Sequence, residues 1–179
     1  MHEVMEAHEA GEHHEDNPLM LPVAVTLSIL AVLVAIATLL GHRAATEELI
    51  LQNKATDQWS LFQAKNIRAH EMASVADMLG TLTPVDKEKA EALREKYQGE
   101  ADRYQKEKDE ASGEAKQLEA ERDVVERRED RYDAGEVILE IALIVCSLTL
   151  LTKRRIFWLA GIALGLVGLV VTASGHLLK

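Results

Sequence analysis

The chain has 179 residues, a net charge of −10 at neutral pH and a single cysteine, Cys146. Nucleic-acid binding needs a basic stripe, and the Lys and Arg residues here are interleaved with more numerous Asp and Glu, so nucleic acid is excluded as a partner. A lone cysteine cannot form an intrachain disulfide. Because the apolar residues are segregated along the chain, their positions are more informative than the average composition.

Residues 1–18 form an acidic, histidine-rich tail that we predict to be disordered. Four histidines lie among six carboxylates, a mixture that binds divalent zinc, nickel or copper weakly. These weak metal candidates are His2, His8, His13 and His14. The spacing is HExxxH rather than HExxH, which would place two imidazoles on one helical face, so a catalytic metal site is not predicted.

The first predicted membrane helix covers residues 19–41. The run from Leu19 to Leu40 has no charged residue, and its 22 residues would span about 30 Å as a helix. A secretory signal peptide is the alternative. No Lys or Arg precedes the run, and the apolar core of a signal is usually only about 7–15 residues long, so a membrane anchor is favoured.

Residues 42–133 are highly charged and predict a coiled-coil helical hairpin with its turn near residues 80–84. On the first arm, alternate steps of three and four residues define a seam whose only large apolar members are Trp59 and Phe62. The seam comprises Gln52, Ala55, Trp59, Phe62, Asn66, Ala69, Ala73 and Ala76. Asn66 either fixes the register of the coil or is tolerated on a loose seam. The aromatic pair must be covered by the returning arm, by other copies of the chain, or by both.

At the turn, Gly80 is expected to end the first arm, Thr83 to cap the second and Pro84 to take its first helical position, with Asp86 as a capping carboxylate within the first turn. The returning arm carries a thin seam that includes Tyr97, Tyr104 and Leu118. The arms contain about 37 and about 50 residues, a mismatch near 20 Å. A bend near Gly99 or a protruding tip would absorb this mismatch.

The chain closes with two further predicted membrane helices, residues 134–152 and 156–178, joined by a basic turn at residues 153–155. Short loops rich in Lys and Arg stay in the cytoplasm, so Lys153, Arg154 and Arg155 favour a periplasmic coil. Arg43 and Lys54 on the coil side favour the opposite orientation.

Two groups of residues in these last spans are candidate sites. Glu136 and Glu140 share a helix face and are either an intramembrane ion or proton site or interfacial carboxylates, hydrated or paired with Arg131 or another protomer. The spacing of Gly161, Gly165 and Gly168 allows close helix approach in lipid. Packing within the chain is favoured over self-association for these glycines.

The segments LLGHRAATEELILQNKATDQWSLFQAKNIR and GEVILEIALIVCSLTLLTKRR resemble an uncharacterised family of small bacterial membrane proteins known as a domain of unknown function. The resemblance covers nearly all of Leu19 to Leu178. It implies the three-span architecture and a bacterial membrane location, and it implies no reaction and no catalytic residue.

The sequence therefore predicts an all-α membrane protein with three transmembrane helices and a long helical coiled-coil hairpin between the first and second. We expect a homo-oligomeric scaffold in the bacterial inner membrane, with the lipid bilayer and an unidentified protein at the coil as partners, and without enzymatic activity or cofactor. One alternative is an oligomeric ion channel or transporter subunit using Glu140. The other is a weak metal-binding protein acting through the tail.

Overall fold

The computed structural model describes residues 19–81 and 86–178, which form three helices. Helix α1 is Met20–Thr81, α2 is Lys87–Thr152 and α3 is Arg155–His176. No strand occurs in these two ranges. Each helix contains a stretch long and apolar enough to cross a membrane. The all-helical fold predicted from the sequence is confirmed for this part of the chain. The histidine-rich tail lies outside the described residues.

The helix ends depart from the predicted capping scheme. Helix α1 continues one residue past Gly80, and α2 begins at Lys87. The Asp86 Oδ1 atom accepts a hydrogen bond from the Lys89 backbone N–H at 3.1 Å, so Asp86 itself is the N-cap. The prediction that Asp86 is a capping carboxylate is confirmed, although it caps from the position before the first helical residue rather than from within the first turn. Thr83 and Pro84 lie outside the described residues.

The described chain divides into two compact units. The first, called here the apolar unit, contains residues 19–41 and 130–177. The second, called here the charged unit, contains residues 42–81 and 86–129 together with Leu178. From sequence, the boundaries of the charged segment were placed at residues 42 and 133.

Within the charged unit, α1 and α2 run in opposite directions side by side. Arg122 of α2 bonds to Gln52 of α1, and Arg94 lies beside Gly80. On each helix, 28 residues separate these two contacts. The two helices therefore have equal length between them. Helix α2 accordingly continues through Gly99 without a break.

The core of the apolar unit is made by side chains of α1 and α2. It consists of Val23, Leu30, Ala37, Leu139, Ala142 and Cys146, and further apolar residues pack on it, including Trp158 and Leu164 of α3. Trp158 Nε1 also donates a hydrogen bond to Thr26 Oγ1 at 3.0 Å. All three helices therefore contribute to this core.

The turn between α2 and α3 is shorter than predicted. Arg155 is already helical, so only Lys153 and Arg154 lie between the helices. Lys153 adopts a left-handed backbone conformation with φ 53°, and its N–H donates to the Thr149 carbonyl at 2.8 Å. This single bond closes the end of α2 in the manner of an αL C-cap.

Candidate functional site

Helix α2 covers one side of the aromatic pair Trp59 and Phe62. The two rings meet edge to face, with centroids 5.5 Å apart and planes at 83°. Trp59 Nε1 donates to Glu119 Oε1 of α2 at 2.8 Å, and the Lys108 ammonium lies 5.8 Å from the Phe62 ring centroid. Both aromatic side chains remain half-buried after these contacts. The returning helix therefore supplies cover but does not complete it.

Cations surround Tyr104, the seam tyrosine of α2. Lys65, Arg68 and Arg103 lie 5.3, 5.8 and 4.8 Å from its ring centroid, and Arg68 donates to its hydroxyl oxygen at 3.3 Å. Cations are attracted to the negative face of an aromatic ring. The hydrogen bond from Arg68 stabilises the phenolate form and so lowers the pKa of Tyr104 below its usual value.

Glu107 joins the two helices at the same level. Lys65 of α1 forms an ion pair with its carboxylate, and Arg103 Nε lies 3.3 Å from its other oxygen. The hydrogen bond from Lys65 lowers the pKa of Glu107 below its usual range. The Tyr104 and Glu107 contacts thus tie α1 to α2 by charge and by hydrogen bonds.

Small buried side chains let α1 and α2 approach each other along the rest of the seam. The buried seam alanines are Ala55, Ala69, Ala76, Ala101, Ala111 and Ala115. The other predicted packing residues Asn66, Tyr97 and Leu118 are half-buried. Gln58 was not identified from the sequence, although its Oε1 atom is buried without a hydrogen-bond partner in the described part of the chain.

In the apolar unit, the glycines of α3 lie where side chains of the other helices come closest. A Cβ atom placed on Gly161 would lie 2.8 Å from Cys146 Cβ, one on Gly165 would lie 2.7 Å from Leu30 Cδ2, and one on Gly168 would lie 2.8 Å from Leu139 Cγ. At Gly161 and Gly168 these distances leave no room for a side chain, whereas at Gly165 the close atom is the flexible end of Leu30. The three glycines thus face residues of their own chain.

Two further glycine contacts were missed by the sequence analysis. A Cβ on Gly135 would overlap Thr172 Oγ1 and lie 2.9 Å from the Thr172 backbone nitrogen, and one on Gly175 would lie 2.9 Å from the Tyr132 ring. Gly135 stands alone in its segment rather than in a repeated small-residue spacing, so the sequence carries no signal for it. Only the register between α2 and α3 reveals this contact.

The two candidate intramembrane carboxylates have different surroundings. Glu136 Oε1 accepts a hydrogen bond from the Thr38 hydroxyl of α1 at 2.6 Å. Glu140 is exposed and forms no hydrogen bond or ion pair with any residue in the described ranges. Its neighbours on the same outward side are Val137, Ile141 and Ile144, which are also exposed. Thr38 rather than Arg131 is therefore the observed partner of Glu136.

The family model for a domain of unknown function, DUF4337, matches residues 19–178, which is most of the chain. The chain belongs to the DUF4337 family. The resemblance seen in the sequence is thereby confirmed at the level of the family. Searches of curated proteins and of solved structures gave no match.

The DUF4337 match begins at residue 19 and so leaves out the histidine-rich tail. The candidate ligands His2, His8, His13 and His14 lie in that tail, outside the described residues. Within residues 19–81 and 86–178, no three His, Cys, Asp or Glu side chains are grouped so that they could hold a metal ion.

Proposed function

We propose that the protein is a membrane-anchored scaffold, in which the apolar unit is the anchor and the charged unit is a coiled-coil hairpin that assembles with other copies of the chain. The main support is the aromatic pair Trp59 and Phe62, which α2 contacts and leaves half-buried. Exposed aromatic area on a helix is stabilised by a further partner.

The extended seam also supports a scaffold. Buried alanines, the Lys65–Glu107 ion pair, the Gln52–Arg122 bond and the Trp59 bond are distributed along α1 and α2 from Gln52 to Ala76 rather than gathered around one cleft. Such a surface suits protein–protein contact over a long distance. An unidentified protein partner at the coil would use this same kind of surface.

Mass measurement of the full chain in nanodiscs tests the assembly. The expected result is a protein mass that is a whole multiple of 19.8 kDa, with more than one copy in each disc. Discs should be prepared at a large excess of lipid, so that two copies are not enclosed by chance. A single copy per disc under these conditions would contradict the proposal.

For location, we propose the bacterial inner membrane with the charged unit in the periplasm. The exposed basic residues Lys153 and Arg154 form the short connection between α2 and α3, and such connections remain cytoplasmic. Single cysteines at Gln105 and at Arg154, in a Cys146→Ala background, would be labelled with a membrane-impermeant maleimide on intact spheroplasts. Labelling at residue 105 alone is expected, and labelling at residue 154 alone would reverse the orientation.

An ion channel or transporter subunit is the second candidate function, and the exposed carboxylate of Glu140 favours it. An unpaired carboxylate among apolar side chains is costly in lipid, so a water-filled path between copies would lower its free energy. Proton and cation flux into liposomes would decrease in a Glu140→Gln variant if this function holds. Unchanged flux with unchanged assembly would remove this candidate.

A further inference from the structure

A line of uncharged side chains runs along one side of α1 in the charged unit from Thr46 to Ser74, bordered by Asp57 and Glu71. Alternate steps of three and four residues along this face, called here the uncharged line, keep its members on one side of the helix. Every member is exposed. The uncharged line consists of Thr46, Leu49, Asn53, Thr56, Ser60, Gln63, Ile67, His70 and Ser74. At 1.5 Å per residue it extends for about 42 Å.

Helix α2 does not cover the uncharged line. Leu49 and Ile67 are 18 residues apart, which is five full turns, so they point in the same direction. The buried alanines Ala55 and Ala69 point about 120° and about 160° away from them, at 100° per residue. Leu49 is consequently 63% exposed and Ile67 is 58% exposed.

The charge content of the two helices differs strongly in this unit. Nine of the 40 residues in 42–81 are Asp, Glu, Lys or Arg, compared with 26 of the 44 residues in 86–129. Most of the large apolar side chains exposed in the charged unit also lie on α1, with Leu93 the exception on α2. Those on α1 are Leu49, Ile50, Leu61, Ile67 and Met78. Helix α2 therefore has the composition of a water-facing helix, and α1 does not.

We propose that the uncharged line is the surface where copies of this chain meet, with α1 against α1 and α2 on the outer, water-facing side. This inference rests on the proposed homo-oligomeric scaffold and names its interface. Asn53 and Gln63 can both donate and accept hydrogen bonds. The hydroxyls of Thr46, Thr56 and Ser60 donate to carbonyls of their own helix and can still accept, so two identical faces can satisfy each other. Identical charged faces would repel, and none of the nine members of the uncharged line carries a fixed charge.

The remaining segments of the chain have the wrong chemistry or length to cover the uncharged line. Residues 1–18 contain six carboxylates and few apolar side chains, and residues 82–85 are only four. A second α1 instead brings further Leu and Ile side chains to Leu49 and Ile67, and its Thr, Ser and Ala64 side chains are small enough for close contact. A second copy is thus the partner that this face fits.

Disulfide cross-linking of the full chain in proteoliposomes tests the interface. In a Cys146→Ala background, cysteine would be placed singly at Ser60 or Ile67 on the uncharged line and at Gln105 on α2 as the control, since all three positions are exposed. Mild oxidation should give covalent dimers with Ser60→Cys and Ile67→Cys, at a yield at least five times that with Gln105→Cys. Helicity measured by circular dichroism would check that each variant is folded.

A charge-insertion arm separates this inference from the proposed assembly. Ile67→Glu should lower the number of copies per nanodisc, whereas Gln105→Glu should leave it unchanged. If several copies persist in Ile67→Glu and cross-links form only through Gln105, the interface proposed here is wrong while the oligomeric scaffold survives. If the unmodified chain has one copy per disc, both proposals fail. A complex of one copy with a different polypeptide, without self-cross-links, would also overturn the inference.

Discussion

In the apolar unit glycines lie in tight contact with neighbouring helices, whereas in the charged unit buried alanines line the contact between the helices and ion pairs join them. The contacts of Gly135, Gly161 and Gly168 leave no space for a side chain, but Ala69 of the charged unit is buried opposite a helix carrying Glu107 and Arg103. Apolar area drives association in water and not in lipid, where close packing must supply the attraction. The contrast indicates that tight contact is indispensable in the apolar unit and less so in the charged unit.

The largest predicted effect is therefore a side chain at Gly135. In a Gly135→Leu variant the new side chain would overlap Thr172, whose backbone cannot move without displacing α3. We expect a loss of about 3 kcal/mol in the free energy of unfolding, typical of severe overpacking. The measurement is unfolding in mixed detergent micelles with increasing sodium dodecyl sulfate, followed by circular dichroism.

The matched control for Gly135 is Val170→Leu, which adds bulk on an outward face of α3 that is 68% exposed. This control should change the free energy of unfolding by less than about 0.5 kcal/mol. Equal effects of the two variants would show that α2 and α3 are not in tight contact at Gly135, and the comparison between the units would then lose its basis.

The second-largest predicted effect concerns the packing of Trp59 against α2 in the charged unit. Trp59→Ala should cost about 2 kcal/mol, less than for a fully buried tryptophan because this side chain is half-buried. Trp59→Phe, which removes the hydrogen bond to Glu119, should cost about 1 kcal/mol. The control is Leu93→Ala, at a position 41% exposed on α2. Unfolding by denaturant would give the three values, and a Trp59→Ala cost no greater than that of the control would contradict the packing described here.

The sequence was sufficient to predict most of the helical content, because long apolar runs and helix-forming stretches without proline are strong signals. Helix α1 runs unbroken from Met20 to Thr81, and no proline follows Pro22 in this range. The turn was harder to predict. Thr83 and Asp86 are both good capping residues, and local sequence alone does not decide between them. The structure assigns the cap to Asp86.

Partners across helices were much less predictable. Tyr104 was identified on the seam, but the choice of Lys65, Arg68 and Arg103 as its neighbours depends on the register of α1 against α2. Charged residues occur every few positions on α2, so many registers would bring some cation to the ring. The contact of Thr38 with Glu136 also depends on the register of α1 against α2, because 98 residues separate the two in sequence.

The third prediction concerns the ion pair between Lys65 and Glu107 in the charged unit. Because Lys65 lowers the pKa of Glu107 in the folded chain, the stabilisation is complete above the ordinary glutamate pKa of 4.5. It is lost as the pH falls through the lower folded pKa, where the carboxylate becomes protonated. We expect an effect smaller than that of Trp59→Ala.

Thermal unfolding of the unmodified chain and of a Glu107→Gln variant would be compared at several pH values. The difference in midpoint temperature should be largest near pH 7 and should shrink as the pH is lowered below the ordinary glutamate pKa of 4.5. A difference that stays constant over this range would mean that Glu107 contributes through packing and not through its charge.

The smallest predicted effect concerns Lys153, where the backbone rather than a side-chain contact is under strain. A non-glycine residue in the left-handed region costs about 1–2 kcal/mol, and glycine loses about 0.5–1 kcal/mol through its greater freedom in the unfolded chain. Lys153→Gly should therefore stabilise the apolar unit by about 0.5–1 kcal/mol in the detergent unfolding measurement. Arg154→Gly is the control. Arg154 has an ordinary extended conformation with φ −100°, and its substitution removes one positive charge, as Lys153→Gly does. A gain in both variants would assign the effect to charge, whereas a gain at Lys153 alone would locate the strain in the left-handed cap of α2.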